Sequence, residues 1–152
     1  MELSIRKAKL DDLSTIVNML ADDFLGSQRE KLQDPLPESY INAFREIEAD
    51  PNNELIVAAL SGEVIGTLQL TYIPSLSFQG SKRATVESVR VDARYRGKAI
   101  GREMMIWAME RAREKGCVSM QLTSHADRKD AHRFYENLGF KATHVGMKIA
   151  LK

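Results

Sequence analysis

The segment from residue 84 to residue 123 constrains the fold more than any other part of the chain. Residues 84–92 alternate as a strand does, and a basic turn with two glycines follows them. Apolar residues then recur at helical spacing, and residues 118–123 again predict a short strand. A strand, a helix and a second strand in this order form a parallel crossover. The segment therefore predicts two parallel strands with one helix packed against them.

The first half of the chain predicts antiparallel strands. Residues 54–60 and 63–73 have strand character, and Ser61-Gly62 between them is a hairpin turn. We expect a further strand at residues 3–8 and one or two final strands within residues 140–151. Short connections between consecutive strands favour antiparallel pairing. The sheet is therefore expected to be mixed and mostly antiparallel.

Helical spacing of apolar residues predicts about four helices, near residues 13–20, 37–49, 100–116 and 127–138. Residues 25–37 combine Gly26, two prolines and many charges, so we expect a loop there. Elements in the order β-α-α-β-β-β-α-β-α-β describe an α/β (α+β) fold, a central sheet with helices packed on it. The length predicts one domain over residues 1–152.

Composition excludes several classes of function. The formal net charge is only +1, so a broad nucleic-acid interface is not expected. Cys117 is the one cysteine and cannot form an internal disulfide, which favours a reducing compartment. No apolar run is long enough to cross a membrane, and residues 1–6 lack the pattern of a signal peptide. The three histidines lack metal-ligand spacing. We expect a cytoplasmic protein without a metal, a nucleic-acid partner or a membrane partner.

Residues 96–102, here called the glycine turn, have the features of an anion-binding site. A helix begins within the turn, so its first backbone N–H groups have no intrahelical partner and can bind a pyrophosphate. Gly97 and Gly101 allow close approach of the backbone. The neighbouring side chains of Arg94, Arg96, Lys98 and Arg102 add positive charge. The alternative is an ordinary helix start with surface arginines, since the turn matches neither of the two common phosphate-binding loop motifs.

Two motifs resemble the signatures of the GNAT superfamily of acetyltransferases. The first is Arg96-x-x-Ala99-x-Gly101 after a valine-rich strand, with Ala99 where the family usually has its first glycine. The second, residues 130–140, reads DAHRFYENLGF and resembles the family pattern A-x-x-F-Y-x-x-x-G-F. Residues 64–66 resemble an early strand of the family. The resemblance covers most of the chain and implies a GNAT-like fold.

The resemblance implies an acetyl-CoA-dependent N-acetyltransferase that acts on a primary amine of a small molecule or peptide by direct attack. It implies that the parallel strands splay apart and open a slot for the pantetheine of acetyl-CoA. Homodimers are common among such proteins, so a homodimer is compatible with the resemblance. The residues that would bind acetyl-CoA are Val89, Arg90, Val91, Arg96, Gly97, Lys98, Ala99, Ile100, Gly101 and Arg102.

Two residues are candidates for proton transfer, which an amine and a thiolate leaving group both require. Glu87 is the candidate base, directly or through water, because we expect it to share a strand face with Val89 and Val91. Tyr135 matches a family tyrosine that often protonates the departing sulfur, and its phenol can donate a proton. The structural alternatives are a solvated or salt-bridged carboxylate for Glu87 and a core aromatic ring for Tyr135.

Two other functions stay open at this point. A non-catalytic acyl-CoA-binding or sensor module would keep the glycine turn and lose the proton-handling groups. A protein acetyltransferase acting on lysine or N-terminal amines would need an open groove for an extended chain. Arg128 lies where many relatives have asparagine, and Arg128 or Arg133 can instead reach a phosphate of CoA. The structural alternative is that both are solvated charges of the helix.

Overall fold

The computed structural model describes residues 2–152 and contains a five-stranded mixed sheet whose strands lie side by side in chain order. β1 to β4 pair antiparallel, and β5 pairs parallel to β4. This confirms the predicted mixed, mostly antiparallel sheet. The strands are β1 Leu3–Lys7, β2 Asn53–Leu60, β3 Glu63–Pro74, β4 Lys82–Val91 and β5 Cys117–Gln121.

Six helices accompany the sheet within residues 2–152, and four of them have nine residues or more. The four long helices agree with those expected from apolar spacing. The helices are α1 Leu13–Ala21, α2 Phe24–Arg29, α3 Glu38–Ala49, α4 Ser77–Gly80, α5 Ile100–Glu114 and α6 Lys129–Asn137. None of these helices is long and apolar enough to cross a membrane.

Helices α1 and α5 pack on opposite faces of the sheet. Ile56 and Ala58 of β2 belong to the core that contains α5, whereas Val57 between them packs with residues of α1. Met104 and Met105 of α5 are fully buried, as their helical spacing predicts. This two-sided burial explains why the central strands are nearly continuous runs of apolar residues.

The prediction of a loop over residues 25–37 is wrong at its start, where α2 forms. The Asp23 side chain accepts a hydrogen bond from the Gly26 N–H and caps this helix. Gly26 is buried, and a Cβ at this position would lie 1.9 Å from the Leu20 carbonyl oxygen. The glycine therefore permits close packing between α1 and α2, whereas its sequence context suggested a flexible turn.

The predicted strands within residues 140–151 are absent from the described chain. Residue 146 passes beside Thr123, just after β5, since a Cβ there would lie 3.6 Å from Thr123 Cγ2. Farther on, Met147, Ile149 and Leu151 are each more than 80% exposed (93%, 83% and 92%). A strand requires a neighbouring backbone to accept and donate its hydrogen bonds. Within residues 2–152, this segment has strand-like alternation without such a neighbour.

A buried carboxylate ties the sheet to α5. The Glu54 side chain accepts hydrogen bonds from Arg111 Nη2 at 2.6 Å and from the Tyr72 hydroxyl at 2.5 Å, and it lies 3.4 Å from Lys7 Nζ. Burial alone would raise the pKa of Glu54, but the hydrogen bonds from Arg111 and Tyr72 and the charge of Arg111 lower it to about 2. The ionised form is therefore the one that stabilises the fold.

Replacing Glu54 by glutamine is expected to lower the free energy of unfolding by about 3 kcal/mol, because Arg111 would be left without its buried partner. Glu114 contacts the same arginine at the surface, so Glu114→Gln should change stability by less than about 0.5 kcal/mol. Denaturant unfolding measures both variants. Equal effects of the two substitutions would contradict the assignment.

The same pair predicts a pH dependence of stability. The pKa of Glu54 is lower in the folded chain than its usual 4.5, so the unfolded chain binds more protons between about pH 5 and pH 2. Stability should therefore decrease as the pH falls through this range. The decrease should be smaller in Glu54→Gln than in the parent.

Candidate active site

The parallel strands β4 and β5 pair only over the first half of β4. Their pairing ends at Thr85 and Gln121, while β4 continues to Val91. Within residues 2–152, the β4 stretch 86–91 therefore has no strand partner on its β5 side. The strand β5 itself ends at Gln121. The structure therefore shows the free stretch of β4 that the predicted splay requires, and the splay itself stays a prediction. Backbone polar groups along the stretch are left to bind something other than a strand.

Two arginine side chains donate hydrogen bonds to backbone carbonyls of this stretch. Arg90 Nη1 donates a hydrogen bond to the Val89 carbonyl at 3.0 Å, and Arg96 Nε donates one to the Val91 carbonyl at 3.3 Å. Both carbonyls are thus available to a donor other than the neighbouring strand β3. An extended molecule that carries amide groups, such as a pantetheine chain, has the hydrogen-bonding capacity to replace these side chains.

A β-bulge at Ser88 interrupts the regular alternation of β4. The register between β3 and β4 passes from Gln69–Glu87 to Thr67–Arg90, which places one extra residue on β4. Ser88 has φ 54°, in the left-handed region that non-glycine residues rarely adopt. The bulge shifts every later side chain of β4 by one position relative to the sheet.

The bulge overturns the expected facing of Glu87. Val86, Val89 and Val91 all pack toward the core that contains α5. Glu87 is exposed and does not share their face, so the prediction that it lies on the face of Val89 and Val91 is wrong. Glu87 instead shares the opposite face with Arg90, whose side chain reaches the loop between α1 and α2. The strict period of two on which the prediction relied does not hold across a bulge.

The glycine turn leads directly into α5. Gly97 has φ 78° and Ala99 has φ 64°, so both residues adopt left-handed backbone conformations. Ala99 is the N-cap of α5, and within the described chain no side chain caps this helix end. The first N–H groups of a helix carry partial positive charge and need acceptors. This end of α5 therefore has the donors that a pyrophosphate requires.

Gly101 has a packing role at the same place. A Cβ at this position would lie 3.3 Å from Phe134 Cζ of α6 and 3.7 Å from Val91 Cγ2. The absent side chain lets α6 approach the start of α5 and the end of β4. The second motif is thereby brought against the first, which their separation in the sequence does not reveal.

The basic side chains around the glycine turn differ in whether they already form ion pairs. Arg94 pairs with Asp92 and Glu63 and is held away from the helix end. Arg96 lies 3.8 Å from Asp22, a long contact between two exposed groups. Lys98 Nζ lies over the Tyr95 ring at 5.7 Å. Lys98 and Arg102 are exposed and form no ion pair with other residues of the described chain. These two cations are the ones most available to an anion at the turn.

Tyr135 lies in an aromatic cluster on α6. Its ring meets Phe134 edge-on at 5.1 Å between centroids and Phe140 at 5.9 Å. Burial raises the pKa of Tyr135, and the nearby positive charges of Arg90 and Arg128 offset only part of this effect. The phenol therefore keeps its proton at neutral pH and can act as a proton donor.

Two arginines, Arg90 and Arg128, converge on one carboxylate, and the positive charges of both lower the pKa of Tyr135 against the effect of burial. Asp23 Oδ2 accepts a hydrogen bond from Arg128 Nη2 at 2.7 Å and lies 3.6 Å from Arg90 Nε. Burial would raise the pKa of Asp23, but the Gly26 N–H bond and the charges of Arg128 and Arg90 together lower it. We call Arg90 and Arg128 the arginine pair.

Sequence reasoning did not find this cluster. Asp23 and Arg128 are 105 positions apart, and no local motif links either of them to Arg90. Arg133, the other arginine considered for a CoA phosphate, pairs with Asp130 on its own helix at the surface. The structure thus separates Arg128, which faces the site, from Arg133, which does not.

An open depression of about 600 Å³ lies elsewhere, between α1 and the β2–β3 turn. Asp12, Asn18 and Glu63 are among the residues that line it, and Glu87, Tyr135 and Arg128 are not. The depression and the candidate catalytic groups therefore lie in different parts of the molecule. We assign the active site by its chemical groups and not by the depression. The unpaired stretch of β4, the uncapped start of α5 and the buried phenol of Tyr135 all lie near the beginning of α5.

The strain at Ala99 generates a prediction. A left-handed alanine costs about 1 kcal/mol relative to glycine, so Ala99→Gly should raise the free energy of unfolding by about 0.5 kcal/mol after the larger entropy of the unfolded chain is counted. Gly97→Ala places a side chain at φ 78° and, with the same correction for the unfolded chain, should lower it by about 0.5 kcal/mol. Chemical denaturation compares the two. A destabilised Ala99→Gly variant would contradict the left-handed conformation.

Comparison with known proteins agrees with this geometry. The Acetyltransferase (GNAT) family matches residues 14–140. An aminoalkylphosphonate N-acetyltransferase from Salmonella typhimurium is 32% identical over 102 residues, which are 67% of this chain and 66% of that protein. A glucosamine 6-phosphate N-acetyltransferase from Trypanosoma brucei brucei is 32% identical over 91 residues, 60% of each protein. The chain thus aligns with two thirds or less of these curated relatives.

Among solved structures, a protein described as a transcriptional regulator from Bacillus halodurans C-125 is 52% identical. It superposes with a TM-score of 0.96 over 99% of this chain and 100% of its own. The family match spans both motifs, strands β4 and β5 and the helices that frame them. The chain belongs to the GNAT family of acetyltransferases.

Proposed function

We propose that this protein transfers the acetyl group of acetyl-CoA to the primary amine of a small molecule. The observation that carries the proposal is the uncapped start of α5 beside the unpaired stretch of β4. The helix start has the donors that a pyrophosphate needs, and the unpaired strand edge has the groups that an amide-containing chain needs. Acetyl-CoA contains both groups in sequence.

The chain offers distinct groups for each part of acetyl-CoA. The backbone of Val89, Arg90 and Val91 would hold the pantetheine amides along the free edge of β4. The pyrophosphate would lie at the start of α5. The residues proposed to hold it are Arg96, Gly97, Lys98, Ala99, Ile100, Gly101 and Arg102.

Acetyl-CoA supplies an activated thioester, and the neutral acceptor amine attacks its carbonyl carbon. A C–N bond forms, the C–S bond breaks, the nitrogen loses one proton and the sulfur gains one. Tyr135 is the proposed donor to the sulfur, because burial keeps its phenol protonated. Glu87 remains the proposed base. Its position on the Arg90 face places it away from the α5 core, so it would act from the acceptor side.

The relatives support a small-molecule acceptor. The two curated proteins are named for an aminoalkylphosphonate and for glucosamine 6-phosphate, which are small amines. A peptide amine is the alternative acceptor. It would need room for an extended chain beside Tyr135, where Asp23, Arg90 and Arg128 converge.

A second candidate is a non-catalytic acyl-CoA sensor, which the description of the Bacillus halodurans relative as a transcriptional regulator favours. A sensor would bind acetyl-CoA without turning it over. The presence of both Glu87 and Tyr135 favours the enzyme, and CoA release with an amine panel distinguishes the two functions. A no-amine control removes any signal from the thiol of Cys117.

Tyr135→Phe is expected to lower kcat about a hundredfold, because the proton donor to the sulfur is lost while the ring remains. The KM for acetyl-CoA should change less than about twofold, since the proposed pantetheine and pyrophosphate contacts remain and only the contact with the departing sulfur is removed. Steady-state kinetics of CoA release measures both constants. An unchanged kcat would remove Tyr135 from the mechanism.

Glu87→Gln tests the base in the same assay. If Glu87 accepts the proton, its loss should change the acidic limb of the pH profile of kcat/KM. Glu110→Gln is the matched control, because Glu110 is an exposed carboxylate that pairs with Arg113 at the far end of α5. A profile of Glu87→Gln identical to that of the control would assign the base to water or another group.

A further inference from the structure

The arginine pair has more positive charge than its partner neutralises. Arg90 and Arg128 carry two positive charges and Asp23 carries one negative charge, which leaves an excess of one positive charge among the paired groups. Burial lowers the pKa of Arg90, and the like charges of Arg128 and Arg29 lower it further. Concentrated like charge is unfavourable unless an anion offsets it.

Arg90 also lacks a full set of hydrogen-bond acceptors. Its Nε atom is buried and is the one such side-chain atom in residues 2–152 without a hydrogen-bond partner, since 3.6 Å to Asp23 is too long for a hydrogen bond. A buried unsatisfied donor on a charged group is unfavourable and is uncommon in folded proteins. An additional anion beside Arg90 would satisfy it.

The arginine pair is separate from the pyrophosphate position. Val91 faces the α5 side, where its Cγ2 would lie 3.7 Å from a Cβ at Gly101. Arg90 leaves β4 on the opposite face and meets Asp23 in the loop between α1 and α2. The positive charges of the pair act on Tyr135. An anion held there would therefore belong to the molecule that approaches Tyr135 from the acceptor side.

We propose that the acceptor is a primary amine that also carries a phosphonate or phosphate group, and that the arginine pair binds this group beside Tyr135. The inference rests on the proposed acetyl transfer and names its substrate class. A phosphate-type group carries close to two negative charges at neutral pH and three strong acceptor oxygens. It can therefore offset the excess positive charge and accept a hydrogen bond from the free Nε of Arg90. Asp23 holds the two guanidinium groups in place without neutralising them.

The test uses two acceptors that share one skeleton, 2-aminoethylphosphonate and its diethyl ester, which lacks the negative charge of the phosphonate. The parent protein should acetylate the phosphonate with a kcat/KM at least about tenfold higher than the ester. Arg128→Gln should reduce this preference about tenfold by raising the KM for the phosphonate, with the KM for acetyl-CoA nearly unchanged. Arg133→Gln is the matched control, since Arg133 pairs with Asp130 outside the site, and it should keep the preference.

Equal acetylation of the two acceptors by the parent would overturn this inference and leave acetyl transfer intact. Acetylation of neither acceptor by a protein that binds acetyl-CoA would also overturn it, whereas failure to bind acetyl-CoA would overturn the proposed function itself. If Arg128→Gln does not fold, Arg128→Lys keeps the charge and loses the planar fork of donors. That variant should still raise the KM for the phosphonate.

Discussion

The end of the pairing between β4 and β5 is the constraint on which the rest of the site depends. Hydrogen bonds between the strands end at Thr85 and Gln121, and beyond this point α5 and α6 pack against the end of β4. The bulge at Ser88 rotates the last part of β4 so that its valines face α5 and Arg90 faces the α1–α2 loop. One backbone irregularity thus separates the side proposed for acetyl-CoA from the side proposed for the acceptor on the same strand.

Electrostatic interactions then join segments that are distant in the sequence. Asp23 lies before α2, Arg90 lies on β4 and Arg128 lies just before α6, and their contacts bring all three elements to Tyr135. Far from this cluster, the ion pair between Glu54 of β2 and Arg111 of α5 holds α5 against the sheet. The helix whose first turn would bind the pyrophosphate is therefore anchored near its opposite end by a buried ion pair.

Local sequence predicted the elements well and their irregularities poorly. The mixed sheet, the long helices and the helix start after the glycine turn follow from residue periodicity and glycine placement. The predicted orientation of Glu87 is wrong, because no sequence pattern predicts a bulge at Ser88. Helix α2 was missed because Gly26 suggested a turn although it serves close packing.

The arginine pair was beyond sequence reasoning, because its residues meet only through tertiary packing. The C-terminal segment within residues 140–151 has a strand pattern that was recognised, but a single chain provides no partner for it. Both cases depend on contacts with residues that are not neighbours in the sequence, and the periodicity of apolar residues carries no information about such contacts. The roles of Glu87, Tyr135 and the residues of the glycine turn remain proposals that depend on acetyl-CoA binding at α5.

Calorimetric titration with acetyl-CoA tests that binding most directly. The comparison is between the parent, the double variant Lys98→Glu, Arg102→Glu, and Arg113→Glu, which reverses an exposed charge at the far end of the same helix. The account predicts that the parent and Arg113→Glu bind alike and that the double variant loses affinity by more than about tenfold. A parent that does not bind acetyl-CoA, or a double variant that binds as tightly as the parent, would contradict the account.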